Sequence, residues 1–523
     1  MTMAKLQDVN TTDVADAIRL GCRTMQSVFN ADDNDIPFFA SQVLPEAFLG
    51  FQSSYNEAHV PGRHLNALLS AQDALGLEPG EEAIEKHTRA AFFAFSGPAP
   101  FPLNRDYIGG PLVNFLDHNL REGFHALYAL VKYRQDERAR KLAENCIEAV
   151  FEYWHPERGW DKPRLEAMGL KVHSWTFVSG PARSIGPLVK YYRATGYGRA
   201  LELALMLAEK ATTEFFRDGG DFDPVLFGGH THSTTCTMSS LAQLADLLGD
   251  ARLMQRVKAF YDNGLWKIRD ELGWVAENVR MHENPPDQGE VNNTGDIVET
   301  ALILGRWGHP DCFHDAERIV RGHLLPSQLR DVSFISEPPN PNNEDGKRNV
   351  ADRHRGAFGF PAPYGHQPVG AKAVSFNMDI VGGAVGSLCE VWREAVRTDA
   401  SGHHVNLLFD RETDALKVES PYTHGPLEVT VKRPAPLWVR MPPWVDRTAM
   451  RVTGLEQQPR VFGAYAFAPA PPVGRPLTFA FAMPEQTITM RHRTHDIRVR
   501  LRGDEVVAMD NFGADLTYFD PFE

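Results

Sequence analysis

Apolar residues recur at three- and four-residue spacing through most of the first 395 positions and at alternate positions after them. The helical rhythm predicts elements over 11–30, 62–74, 81–97, 115–135, 137–154, 180–196, 198–216, 233–249, 251–269, 291–307, 311–324 and 381–395. Tight turns (YRQDER, ATGYGR, LLGDAR, WGHPDC) join several neighbours, whereas the connections before 115, 180, 233, 291 and 381 are long and rich in Gly, Pro, His and aromatics. Such alternation is expected of helical hairpins set in a ring, with the long loops collected above the inner helices. Twelve helices in six hairpins describe an (α/α)6 barrel over residues 1–395. No repeat of fixed period is visible, which weighs against a solenoid. Beyond 396, short β-branched runs such as LEVTVKR, PLWVRMP and DIRVRLR are separated by turns. They predict an antiparallel β-sandwich over 396–523, with a structural role expected and carbohydrate binding a secondary reading.

Composition narrows the partners. The chain has 523 residues, 43% hydrophobic and 23% charged, enough for a large core and more than one domain. A net charge of -14 argues against nucleic acid or an anionic membrane surface as partner. Cys22, Cys146, Cys236, Cys312 and Cys389 lie far apart with no CxxC pair, so neither a disulfide framework nor a thiolate zinc site is indicated. The opening MTMAKLQDVNTTD lacks the apolar run of a signal peptide, and no stretch approaches the roughly 18 apolar residues of a membrane span. A reduced, cytoplasmic setting is the expectation. The oligomeric state is not readable, and a homo-oligomer stays open.

The polar positions that break the helical rhythm carry the chemistry. In ENPPDQGEVNNTGDIVE (283–299) a Pro/Gly loop hands over to a helix at Glu290, and Asn292, Asn293, Asp296 and Glu299 follow at helical spacing. A capped, solvated first turn would explain that stretch alone. However, similar polar groups stand at the starts of the other even-numbered helices: Arg63 and His64; Asp117, His118 and Asn119; His173 and Trp175; His230 and His232; and Asp379. In a ring these would converge on one pocket. Carboxylates, imidazoles, amides and a Trp suit sugar chemistry, in which paired acids cleave the glycosidic bond and flat aromatics cover the ring. Glu290, Asp379 and His230 are therefore the candidate catalytic residues. Arg63, His64, His118, His173, Trp175, His232, Asn292, Asp296 and Arg355 are the candidate substrate contacts, with Glu277 or Glu283 as alternative acids. The long segment 337–364 reads as a loop over the pocket rim, bringing Arg353, His354, Arg355 and Phe358. His230 and His232 form an HxH pair with no defined third ligand, so no metal or other cofactor is expected.

Several of these segments resemble the β-L-arabinofuranosidase-like glycosidases of glycoside hydrolase family 127. DHNLREGFHALYALVKY is similar to that family's His-Asn-Leu segment, GGHTHSTT to its Gly-x-His-x-Asn-Thr loop, and Gly289-Glu290-Val291-Asn292 to its Glu-x-Cys stretch. The β region follows the order of its accessory sandwich. The resemblance implies a catalytic (α/α)6 barrel followed by a β-sandwich. It also implies a cysteine nucleophile beside a zinc ion, but here Asn292 and Met378-Asp379 stand where the thiols belong. A carboxylate mechanism without zinc is the expected replacement, in an exo-acting glycoside hydrolase. A uronate lyase on the same barrel is the alternative, with His232 as base, Tyr364 as acid and Asn292, Arg63 or Arg183 neutralising the carboxylate. A non-catalytic sugar-binding protein is the third reading.

Overall fold

The structure is a computed structural model that describes residues 4–78, 80–279, 287–491 and 496–522. Among them, twelve helices have ten or more residues: α1 Val14–Met25, α2 Val60–Leu75, α3 Glu81–Ala94, α4 Leu120–Arg134, α5 Glu137–Tyr153, α6 Ile185–Thr195, α7 Gly198–Lys210, α8 Thr231–Leu248, α9 Ala251–Asp262, α10 Val291–Arg306, α11 Pro310–Ile319 and α12 Met378–Ala395. The even-numbered helices pack in a closed cycle, α2 on α4, α4 on α6, α6 on α8, α8 on α10, α10 on α12, and α12 back on α2. Each odd-numbered helix lies outside an even-numbered one: α1 against α12, α3 against α2, α5 against α4, α7 against α6, α9 against α8 and α11 against α10.

Three of the six outer helices and none of the inner ones begin with a side-chain cap, and the inner starts line the site. Asp13, Asp136 and Asp250 cap the outer helices α1, α5 and α9, each accepting a backbone N–H of the first turn. None of the six inner helices has a side-chain cap, although His59, Asn119, Ser184, His230, Glu290 and Asn377 stand at the cap positions. Their first-turn N–H groups give that end of the ring a positive potential, which favours carboxylates placed there. The start of α4 also differs from the expected 115–135. Residues Leu112–Leu116 are instead drawn into a three-stranded sheet with Leu103–Arg105 and Lys171–His173, and the helix begins at Leu120.

After Ala395 the chain turns to strands. Two five-stranded sheets run in the spatial orders 396–399, 402–405, 437–440, 465–468, 460–462 and 411–412, 416–419, 427–431, 476–480, 451–453. They share a core that includes Val405, Leu416, Val429, Val439 and Phe479. A third sheet, 485–491, 496–502, 505–509 and 520–521, packs Ile497, Val499 and Leu501 with Leu272, Ala362 and Tyr364 of the helical part. The sheet-rich module is thus more than the single antiparallel sandwich expected, and two of its pairings, 402–405 with 437–440 and 505–509 with 520–521, run parallel. Buried Glu317 of α11 accepts hydrogen bonds from Arg321, from Arg440 and from the Leu408 backbone N–H, tying the helices to the first sheets. Among the described residues no helix is long and apolar enough to cross a membrane.

Candidate active site

At the N-terminal ends of the inner helices lies a cavity of about 790 Å³. Eight of the residues expected from sequence line it: Arg63, His118, Trp175, His230, His232, Glu277, Glu290 and Asp379. Its aromatic walls are Phe39, Tyr55, Trp175 and Phe360, with Trp175 40% exposed at the mouth.

Glu290 occupies the cap position of α10 but makes no cap hydrogen bond; its carboxylate turns inward. Asn292 Nδ2 donates to Oε1 at 2.5 Å, His232 Nδ1 lies 3.4 Å from Oε1, and His230 Nε2 lies 3.6 Å from Oε2. Burial would raise its pKa, yet the neighbouring His230, the Arg63 charge and the Asn292 hydrogen bond together hold it below the usual carboxylate value. Glu290 is therefore charged at neutral pH. Glu277, on the same cavity, has the opposite character. Burial and the nearby Glu290 charge push its pKa up to about 7, so it carries a proton much of the time near neutrality.

Asp379, in the first turn of α12, is met by His59 Nε2 at 3.2 Å and Arg63 Nη1 at 3.4 Å. Its Oδ1 is buried without a hydrogen bond. Behind this pair, fully buried Glu122 accepts Arg63, Arg121 and Arg183 on one oxygen, Oε1, at 3.2, 3.1 and 3.0 Å. Burial opposes its charge, but these arginines and His59 hold its pKa well below the ordinary value. His118 Nδ1 donates to the Ser179 carbonyl at 2.7 Å, which leaves Nε2 as an acceptor toward the cavity. Burial, and then Arg183, keep His118 neutral; burial and the arginines do the same for His232.

Other expected contacts lie elsewhere. His64 points away from the cavity, bonded to the Met378 carbonyl at 2.7 Å and to His87 at 3.3 Å. His173 sits on the strand that pairs with Leu112–Leu116 and is exposed, so the loop after it delivers Trp175 alone. Arg355 is exposed away from the cavity. Arg353 and His354 are buried and spent on the Ser27, Phe29 and Val350 carbonyls, while Phe358 is core. Tyr364 is buried against the third sheet and donates to Asp287. Asn292 and Asp296 line a second space inside the ring rather than the catalytic cavity. Glu283 lies outside the described residues. His59, Tyr55, Phe39 and Phe360 are among the cavity residues that sequence reasoning missed.

The zinc site implied by the family resemblance does not fit. No cysteine lines the catalytic cavity, and the thiol positions hold Asn292, Met378 and Asp379. The fold does supply the third donor that the HxH pair lacked, since ligand atoms of His230, His232 and Glu290 lie within 4.8 Å of one another. These donors are two imidazoles and a carboxylate rather than thiolates, a set able to hold a cation, and Glu290 Oε1 also accepts from Asn292.

The helical ring with its sheet-rich C-terminal module is similar in fold to solved glycoside hydrolases. The structure is similar to a glycoside hydrolase family 127 β-arabinofuranosidase (TM-score 0.60, 14% identity, covering 95% of this chain and 83% of that one). It is likewise similar to the family 127 β-L-arabinofuranosidase of Geobacillus stearothermophilus T6 (TM-score 0.58, 13% identity, 94% and 80%). A sugar epimerase from a ruminal bacterium aligns with TM-score 0.50 at 12% identity, over 72% of this chain and 99% of its own. No family model and no curated protein matches the chain. At these identities the likeness is one of fold, and it agrees with the resemblance read from the sequence.

Proposed function

We propose that the chain is an exo-acting glycoside hydrolase that cleaves an oligo- or polysaccharide end by a carboxylate mechanism without zinc. In this reading an (α/α)6 barrel over 1–395 carries the chemistry and 396–523 supports it; the five unpaired cysteines suit a reduced compartment such as the cytoplasm. The observation that carries the proposal is the contrast between Glu277 and Glu290, one cavity holding a carboxyl that keeps its proton near pH 7 and another that does not. Fold neighbours described as β-arabinofuranosidases support a carbohydrate substrate. A cavity, rather than a long groove, suits a chain end.

The steps follow from the protonation states. Glu277 gives its proton to the glycosidic oxygen as the C–O bond breaks. The anomeric carbon takes the oxygen of a water, whose proton passes to Glu290. Asp379, the partner expected for Glu290, instead uses its free Oδ1 on a sugar hydroxyl while His59 and Arg63 hold its other oxygen. His118 Nε2 accepts a second hydroxyl, Trp175 covers the ring face, and His230 keeps Glu290 charged. The eliminative alternative loses its acid, since Tyr364 is buried away from the cavity.

Aryl glycosides and uronate-containing oligosaccharides are the substrates to screen. On the substrate found, Glu290→Gln abolishes turnover and largely spares sugar binding; normal turnover by that variant would show the central assignment to be wrong. Ultraviolet absorbance from an unsaturated uronide product would mark a lyase instead.

A further inference from the structure

Inside the ring, behind the catalytic cavity, lies a second space of about 370 Å³. Arg63 and His232 line both, so the two meet at those side chains. The inner space runs from Asn292, at the start of α10, to Arg306, at its end, a span of about 20 Å. At the far end it is lined by Lys132, Arg193 and Ala194, which are exposed at the C-terminal ends of α4 and α6.

Its walls are polar and incompletely bonded. His125 Nδ1 and Asn292 Oδ1 are buried there and make no hydrogen bond within the protein, while Arg63 Nη1 and His232 Nε2 have only long ion pairs, each 3.4 Å, to Asp379 and Asp296. Buried donors and acceptors are nearly always satisfied, and where no protein group reaches them, water does. The volume accommodates on the order of ten waters. Small residues keep the space open, Ser239 and Ser240 on α8 and Gly383, Gly386 and Ser387 on α12.

We infer that this space is a water-filled channel through the ring, open at the face opposite the catalytic mouth, and that it delivers the water consumed at Glu290. The inference rests on the hydrolase reading. A sugar seated against Trp175 closes the front of the cavity, and each turnover still needs one water, whose oxygen goes to the anomeric carbon. The rear channel reaches Asn292, whose amide donates to Glu290, and the Arg63 and His232 side chains that it shares with the catalytic cavity, without passing the substrate.

Gly386 offers a plug that leaves the catalytic groups alone. A Cβ there would meet only Asn66 Nδ2, at 3.9 Å, so a larger side chain enters the channel without a backbone clash. Gly386→Leu should fill it, and Gly386→Ala is the control that improves helix propensity and leaves it open. Cys236 lines the channel, whereas the other four cysteines are buried elsewhere. With methyl methanethiosulfonate at mildly alkaline pH, read by mass spectrometry, Cys236 in the native protein should label at least about tenfold faster than Cys22, Cys146, Cys312 or Cys389. Gly386→Leu should remove that difference and Gly386→Ala keep it. On a confirmed glycoside, Gly386→Leu should lower kcat about tenfold with KM unchanged, the pattern of a step after binding. Cys236 labelling no faster than the other four overturns the channel, without requiring any substrate. Blocked labelling with native kcat overturns the water supply while leaving the hydrolase assignment standing.

Discussion

Replacing Glu277 by Gln separates its two roles, proton donor and buried charge, because the same raised pKa predicts opposite effects on activity and on stability. In the native fold burial and the Glu290 charge push the carboxyl up to about 7 from its ordinary 4.5. Between those pH values the native state holds a proton that the unfolded chain has lost, so stability falls as pH rises through the window. Full loss of that proton costs about 3 kcal/mol; with the residual exposure of Glu277, about 2 kcal/mol is the working figure. Gln carries no charge at any pH. Urea unfolding of both proteins at about pH 4 and about pH 8 should show Glu277→Gln gaining about 2 kcal/mol on the native protein between the two conditions. The same change should cost turnover about 10²–10⁴-fold on glycosides with poor leaving groups, and far less on aryl glycosides whose leaving oxygen needs no proton. For the native enzyme kcat should decline above pH about 7 as Glu277 ionises. A stability difference that stays flat with pH, or equal losses on both kinds of leaving group, would refute the reasoning.

The remaining predictions concern groups around the cavity. Glu122→Gln strips charge compensation from the buried guanidinium groups of Arg63 and Arg183 and from half-buried Arg121, and should lower unfolding free energy by about 3–5 kcal/mol, measured by denaturant titration. Gly383→Ala places a Cβ 1.9 Å from Asn292 Oδ1 and must displace the side chain that holds Glu290; a fall in kcat larger than the fall in thermal stability would mark that local effect. Dialysis against a strong chelator should leave turnover unchanged, whereas retention of one zinc per chain through His230, His232 and Glu290, with activity lost on its removal, would refute the zinc-free mechanism.

The ring was legible because apolar periodicity and loop length are local properties, and the polar starts of the inner helices could be counted along the chain. What sequence could not give was which side of a helix start faces inward. Expected to start at 62, α2 pointed to Arg63 and His64; it starts at Val60, with Pro61 in its first turn, and His59 and Arg63 share a face by their four-residue spacing. His64 lies about 100° around the helix from Arg63 and meets α3 instead. The four-residue interval was the available signal, once proline is accepted inside the first turn. In α10, Asn292 and Asp296 were grouped with Glu290, although they lie deeper along the axis and line the inner channel. Glu122 carries no signal of its role in the sequence, because the arginines it gathers come from α2 and from the turn before α6 as well as from its own helix. Arg355 was misplaced for a related reason: a polar loop can be as busy with internal carbonyls as with a ligand, as its neighbour Arg353 shows.

The closure of the ring between α12 and α2 joins residues more than 300 positions apart, and Asp379 meets His59 and Arg63 across that seam. Contacts so distant in sequence form late, after the loop entropy between them has been lost. During synthesis the eleven helices that precede α12 can assemble as they emerge, but the cavity stays open on one side until α12 docks. Sugar affinity would then report completion of the fold rather than its onset, and a chain arrested before Met378 would be largely helical and catalytically silent.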